Sequence, residues 1–404
     1  MVKQEDFDVE QFMDKYETNI VNNMGETCCD SLSVNQLLEL ISKEKPEVDI
    51  SLKRKQICDL ILDTKATYGH IRGSPDLKSA IAAIYNEDLK TEGISNDNIV
   101  VTNGAIGANF LTLYSLVDAN DKVIVVSPTY QQLGSVSAVF SQSKVNVIPF
   151  ELKYENEYLP DLVELKQLIE THFPKLVIIN NPNNPTGVVW DNETMEKMVN
   201  LCKSKDVWLM CDEVYRPLYH SVKREDQPKS VVNYGYAKTI STGSTSKAFA
   251  FAGLRLGWVV TRDKALLDNL FSKRDYNTIS VSMVDDSLAT LVLQNHKVIL
   301  KRNYDICLKN IEIVQKEIDH SNGLLSWIRP KSGTTCFIKI NIPNLDTYKL
   351  CSELAEQHNT LVVPGEVFDN RAGFLRVGFG NSPESIVGGF YELKKWFIKN
   401  GYQK

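Results

Sequence analysis

Between about residues 99 and 261 the apolar positions come in short unbroken runs rather than in alternation. The runs cover residues 99–101, 123–126, 145–149, 176–179, 207–211, 238–241 and 256–261. Turn residues close each run, and helical stretches lie between them. Short continuous apolar runs of this kind predict strands buried on both faces. Their alternation with helices predicts an α/β fold with a mainly parallel seven-stranded sheet covered by helices.

The rest of the chain follows other periods. The first ~25 residues read as a helical or extended arm. Residues 33–43 predict a short helix, with Ser33 as N-cap and Pro46 beyond its end. Residues 77–85 predict an amphipathic helix after Gly73, Ser74 and Pro75. A long helical stretch runs from about residue 283 to 318. Beyond it, residues 334–340, 361–364 and 374–378 are strand-like and set between helices, which predicts a smaller α+β domain. The expected division is 1–45 as arm and part of the small domain, 46–285 as the large domain and 286–404 as the C-terminal small domain. No Gly/Ser/Pro linker separates the last two, so the long helix is the expected joint.

Composition narrows the function. Hydrophobic residues at 43% and charged residues at 24% match an ordinary folded chain, which excludes general disorder. The net charge of −6 argues against a nucleic-acid or membrane-surface binder. No apolar run approaches the ~18 residues of a membrane span. The acidic start, MVKQEDFDVEQFMDKYE, has no apolar core of a secretory signal and does not suit a mitochondrial one. Eight cysteines include no C-x-x-C pair and do not cluster with the six histidines. Free thiols in a reducing cytoplasm are expected, with neither a disulfide framework nor a metal site.

Four segments place chemistry just past predicted strand ends, where open α/β sheets bind ligands. Residues 180–187 (NNPNNPTG) form a rigid turn carrying four asparagines. In VWLMCDEVY a strand delivers Asp212, with Tyr215 three residues on. A carboxylate there suits a cationic ring nitrogen, and equally the cap of a following helix. In STGSTSK a hydroxyl-rich stretch ends at Lys247, and Arg255 follows between Gly253 and Gly257. Hydroxyls and an arginine suit a phosphate, and a lysine of lowered pKa suits a Schiff base. In FLRVG, Arg376 lies among apolar residues, where it needs a partner: a structural carboxylate or a substrate one.

Together these motifs resemble the class I/II aminotransferases of the pyridoxal-phosphate fold type I superfamily. N-P-T-G, D-x-x-Y, S-x-S-K and G-x-R-x-G occur in the family's order. The resemblance implies pyridoxal 5'-phosphate as cofactor, held by Lys247 as an internal aldimine. Asp212 would hold the ring nitrogen, and Asn184 and Tyr215 the phenolic oxygen. Ser244 and Arg255 would grip the phosphate, with backbone N–H groups from Gly104, Ala105 and Ile106. Tyr130 would stack on the ring, and Tyr68 would reach the phosphate of a neighbouring subunit, which implies a homodimer. Arg376 and Asn184 would bind substrate, as would Gly25 and Glu26 of the N-terminal loop.

The implied activity is transfer of an amino group from an L-amino acid to a 2-oxo acid. Carbon–sulfur elimination and amino-acid cyclisation proceed from the same intermediate and stand as alternatives. A silent ligand-binding regulator is a remoter one, disfavoured because Lys247 is present and 404 residues leave no room for a DNA-binding domain. The second arginine of dicarboxylate-specific members has no match in residues 278–283; Arg274 is the nearest, and Arg72 is another candidate clamp. Glu26 and Asp30, if they face inward, favour a cationic or polar amino acid over aspartate.

Overall fold

The computed structural model describes residues 2–87, 89 and 93–403. The chain begins with a helix, Asp8–Tyr16, and a two-residue strand, β1 (Asn22–Asn23). The helix Val34–Glu44 follows, capped by Ser33 in a reciprocal capping box with Gln36. Seven strands then build the large sheet: β2 (Ile99–Asn103), β3 (Val123–Ser127), β4 (Val147–Glu151), β5 (Leu176–Asn180), β6 (Trp208–Asp212), β7 (Thr239–Ser244) and β8 (Leu256–Thr261). Their spatial order is β2-β8-β7-β6-β5-β3-β4. All neighbours are parallel except β8, which runs antiparallel to both β2 and β7.

The period of two within the apolar runs sorts side chains into two cores. Ile99, Val101, Ile124, Val126, Val177, Ile179 and Leu209 face a core that continues into the second lobe. Val100, Val123, Val125, Leu176, Ile178 and Met210 face another. That second core is closed by side chains such as Leu111, Leu133 and Leu267, from the helices Gly104–Leu116, Gln131–Phe140 and Lys264–Arg274. Both faces are covered, which is why the runs carry no polar alternation.

The second lobe holds β9 (Leu325–Trp327), β10 (Thr335–Ile340), β11 (Thr360–Leu361), β12 (Val363–Pro364) and β13 (Phe374–Gly378). Its antiparallel sheet has the order β12-β13-β10-β9, so Arg376 lies on an inner strand, opposite Phe337 and Val363. The arm joins this lobe by parallel pairing of β1 with β11. Two expectations need correction. The long helical stretch is broken at Asn295 into Met283–Gln294 and His296–Asp319. Residues 361–364 are not one strand: β11 pairs with the arm and β12 with β13. All eight cysteines are unpaired, and among the described residues no helix is long and apolar enough to cross a membrane.

The lobes touch backbone to backbone at Gly187, which closes the asparagine-rich turn. Its φ is +70°, and a Cβ there would stand 2.0 Å from the Thr335 carbonyl oxygen and 2.7 Å from the Pro330 Cβ. Gly187→Ala therefore meets both a left-handed backbone and a clash that no flexible side chain absorbs. We expect it to lose about 2 kcal/mol or more of stability. Chemical denaturation at fixed cofactor concentration checks this; an unchanged midpoint would contradict the close approach.

Candidate active site

Strand direction explains how distant residues meet. Parallel strands β3, β5, β6 and β7 end on one edge of the sheet, and antiparallel β8 begins there. Ser244 at the end of β7 pairs with Gly257, and Asn103 at the end of β2 pairs with Leu256. Arg255, just ahead of β8, thereby returns to the edge that Lys247 leaves. A cavity of about 330 Å³ opens on this edge, beneath the arm and the second lobe.

Of the residues predicted for the site, Gly25, Glu26, Ala105, Ile106, Tyr130, Asn184, Asp212, Tyr215, Ser244, Lys247, Arg255 and Arg376 all line this cavity. Gly104 and Tyr68 do not. Gly104 starts the helix behind Arg255; its φ is +70°, and a Cβ there would lie 3.1 Å from the Arg255 guanidinium. Tyr68 is 69% exposed and lines a separate groove with Val281 and Met283. Asp30 does not face inward: its carboxylate pairs with Arg302 at 2.5 Å. Arg274 is buried and spends its guanidinium on the carbonyls of Val101 and Ile279, and Arg72 lies over the Phe271 ring.

Asp212 is buried, accepting hydrogen bonds from Asn109 Nδ2 at 2.9 Å and the Val214 amide at 3.1 Å. Burial pushes its carboxyl up to about 6, against the pull of those two donors. No helix follows Asp212, so it caps none. The asparagines of the rigid turn divide their work. Asn180 and Asn181 bind the Asp212 carbonyl through Nδ2 and the backbone amide, at 2.8 and 3.1 Å. Asn183 reaches the Pro128 carbonyl and accepts from Thr186. Of these four asparagines, Asn184 alone keeps a buried side-chain oxygen that finds no partner among the described residues; the cavity-lining Tyr215 hydroxyl and Arg376 Nε share that condition.

Lys247 Nζ donates to Thr27 Oγ1 at 2.6 Å and lies 3.4 Å from Cys28 Sγ and 3.9 Å from Glu26 Oε1. Burial pushes its ammonium down, but Cys28, Glu26 and Tyr215 together hold it above its usual value. Burial also pushes the Cys28 thiol up to about 12 and raises the Tyr215 phenol. Arg376 Nη2 donates to the Gly25 carbonyl at 2.9 Å, and its guanidinium lies over the Phe368 ring.

Sequence reasoning missed Asn109, Thr27, Glu10 and Glu17, which also line the cavity. Asn109 had a signal: a lone amide inside the apolar helix GAIGANFLTLYSL. Glu10 and Glu17 had none, because an acidic arm reads as solvated until its docking site is known.

A buried acid, an amine and an arginine around one cavity would suit a cationic ring that also carries phosphate. The orphaned Asn184, Tyr215 and Arg376 atoms fit such a group. So does the helix Gly104–Leu116, whose N-terminal amides receive no side-chain cap and face the cavity at Ala105 and Ile106. Fold and site together define a pyridoxal-phosphate enzyme of fold type I. The chain belongs to the class I and II aminotransferase family, whose model matches residues 31–387. A pyridoxal-phosphate-dependent aminotransferase from Streptococcus suis has the same fold, with a TM-score of 0.87, 33% identity and 100% coverage of both chains. Aspartate aminotransferase of Pyrococcus horikoshii is 25% identical over 87% of this chain and 88% of its own. Capreomycidine synthase of Streptomyces vinaceus is 29% identical over 70% of this chain and 69% of its own.

The raised Asp212 pKa has a measurable consequence. A carboxyl whose folded pKa exceeds its unfolded value favours folding in its protonated form. That contribution is complete below about pH 4 and is lost as pH rises through about 6. In cofactor-free protein, Asp212→Asn should therefore be more stable than the parent at pH 8, by up to about 3 kcal/mol, with the advantage fading toward pH 4. Urea denaturation across this range reads the difference; a gap independent of pH would show that burial does not perturb Asp212.

Proposed function

We propose that the protein transfers the amino group of an L-amino acid to a 2-oxo acid, with Lys247 as the amine that carries pyridoxal phosphate. One observation supports this above the rest. Lys247, Asp212 and Arg376 share a cavity with three buried polar atoms that the described residues leave unpartnered. Bound pyridoxal phosphate supplies an electron sink for the pair left at the substrate Cα.

The protein's own groups do the remaining work. Asp212 would hold a proton on the ring nitrogen, and the Asn109 bond keeps its carboxylate in place. Asn184 and Tyr215, whose buried oxygens are unpartnered among the described residues, would bind the phenolic oxygen. Ser244, Arg255 and the amides of Ala105 and Ile106 would hold the phosphate, and Tyr130 would lie against the ring. Arg376 has one nitrogen on the Gly25 carbonyl and keeps Nε free for the α-carboxylate. Lys247 Nζ would take the proton from the substrate Cα and deliver it to the cofactor carbon that keeps the nitrogen, as amino transfer requires.

Cyclisation or elimination is the second reading, favoured by the likeness to capreomycidine synthase. It needs the same proton removal and the same carboxylate clamp. A silent regulator is disfavoured, since Lys247 lies in the cavity beside Asp212 and Arg376. The reading includes a homodimer, supported by the exposed Tyr68 ring.

An amino-acid panel run with and without a 2-oxo acid tests the reaction type. Amino transfer requires the acceptor, whereas elimination releases ammonia and a 2-oxo acid without one. Lys247→Ala should remove turnover and the borohydride-fixable cofactor while the fold is kept; residual activity above a few per cent of wild type would overturn its role. Arg376→Lys keeps the charge but loses the planar fork, and should cost about 2–5 kcal/mol in kcat/KM. An equal loss with an amine that lacks the carboxylate would contradict the clamp.

A further inference from the structure

The cavity holds more carboxylates than the cofactor and an α-amino acid account for. Among its described lining residues the cations are Lys247, Arg255 and Arg376, and the acids are Glu10, Glu17, Glu26 and Asp212. On the function proposed above, each cation is committed: Lys247 to the cofactor, Arg255 to its phosphate and Arg376 to the substrate α-carboxylate. Asp212 is committed to the ring nitrogen. Glu10, Glu17 and Glu26 remain, with no lining cation left to balance them.

These three acids are held in place by the structure. The helix Asp8–Tyr16 presents Val9, Glu10 and Met13 to the cavity, and Glu17 follows directly. The Asp8 amide donates to Gln131 Oε1 at 2.8 Å, Gln131 donates to the Asp6 carbonyl, and Phe7 packs on Tyr130, so the helix is docked across the opening. The Tyr130 hydroxyl donates to Glu10 Oε1 at 2.8 Å. The Thr27 and Cys28 amides donate to Glu26 Oε1 at 2.6 and 2.7 Å, which fixes the carboxylate at the cavity wall. Glu17 makes no hydrogen bond or ion pair among the described residues. Burial, and then the charges of Glu26, Asp14 and Glu10, raise its carboxyl above the ordinary value. The buried, unpartnered Arg376 Nε in the same cavity marks where the other end of a ligand is received.

We propose that Glu10, Glu17 and Glu26 receive a positive charge at the far end of the substrate side chain, so that the substrate is an amino acid bearing a distal guanidinium or ammonium. This rests on the function proposed above for Arg376, but not on whether the reaction ends in transfer, elimination or cyclisation. A side-chain carboxylate at the same place would meet three like charges in a half-enclosed site, and Arg274 and Arg72 are engaged elsewhere.

Ligands that lack an α-amino group and any other primary amine test this on the holoenzyme, because they cannot displace Lys247 from the cofactor. The dissociation constants of 5-guanidinopentanoate, 6-(dimethylamino)hexanoate and hexanoate are measured by calorimetry. All three carry the carboxylate for Arg376, and only the first two carry the distal cation. We expect one or both cations to bind at least about tenfold more tightly than hexanoate, as a charge-assisted hydrogen bond provides. Which cation binds more tightly distinguishes a guanidinium from an ammonium substrate. Glu17→Gln should shrink that ratio toward one, and Glu17→Lys should favour heptanedioate over hexanoate. Equal binding of all three ligands would overturn the distal site while leaving Arg376 in its role. Binding of none would overturn both. A ratio unchanged in both Glu17 variants would also overturn the distal site as assigned.

Discussion

Asp212 is a carboxylate with almost no access to water, and it stays ionisable near neutrality because donors reach it from separate elements. Asn109 comes from the helix that follows β2, and the Val214 amide from the turn after β6. Asn109 is in turn fixed by Thr242 of β7 and by Gln132 of the next helix. The Asp212 carbonyl is the anchor for Asn180 and Asn181, and so for the rigid turn that carries Asn184 and Gly187. One residue at a strand end thus ties together the helix, the neighbouring strand and the loop where the lobes meet. A buried charge without such a set of donors would be costly, and in a satisfied network it gains rigidity.

The other half of the site depends on the arm and the second lobe. Gly378 at the end of β13 donates to the Met24 carbonyl, and Arg376 two residues earlier reaches the Gly25 carbonyl. The arm is therefore bonded to the strand that carries the arginine. Its following residues supply Thr27 and Cys28 to Lys247. The residues proposed to hold the cofactor lie mostly on the large sheet, while those proposed to meet the substrate come from segments far apart in sequence that converge on the same cavity.

Much of this was legible in the chain because the signals are local. Strands buried on both faces announce themselves as unbroken apolar runs, and the polar residues at their ends stand out against that background. Lys247 and Arg255 could be read as a pair from spacing, but not the reason for it, which is the antiparallel direction of β8. Tertiary context decided the rest. Asn295 interrupts a helical period that has no proline or glycine to announce the break. Residues 361–364 look like one strand because nothing local records that two different sheets claim its halves. Asp30 and Glu26 are equally acidic and four residues apart, and only the position of Arg302 turns one of them to the surface.

The antiparallel β8 makes the segment from Ser244 to Gly257 a ruler. Its two ends are pinned opposite each other by the register, with the lysine near one end and the arginine near the other. Slipping the pairing by one residue would turn every side chain of β8 to the opposite face. The span between Lys247 and Arg255 is therefore bounded by backbone pairing rather than by side-chain adjustment. On the function proposed for Lys247 and Arg255, this segment would gauge the coenzyme by length.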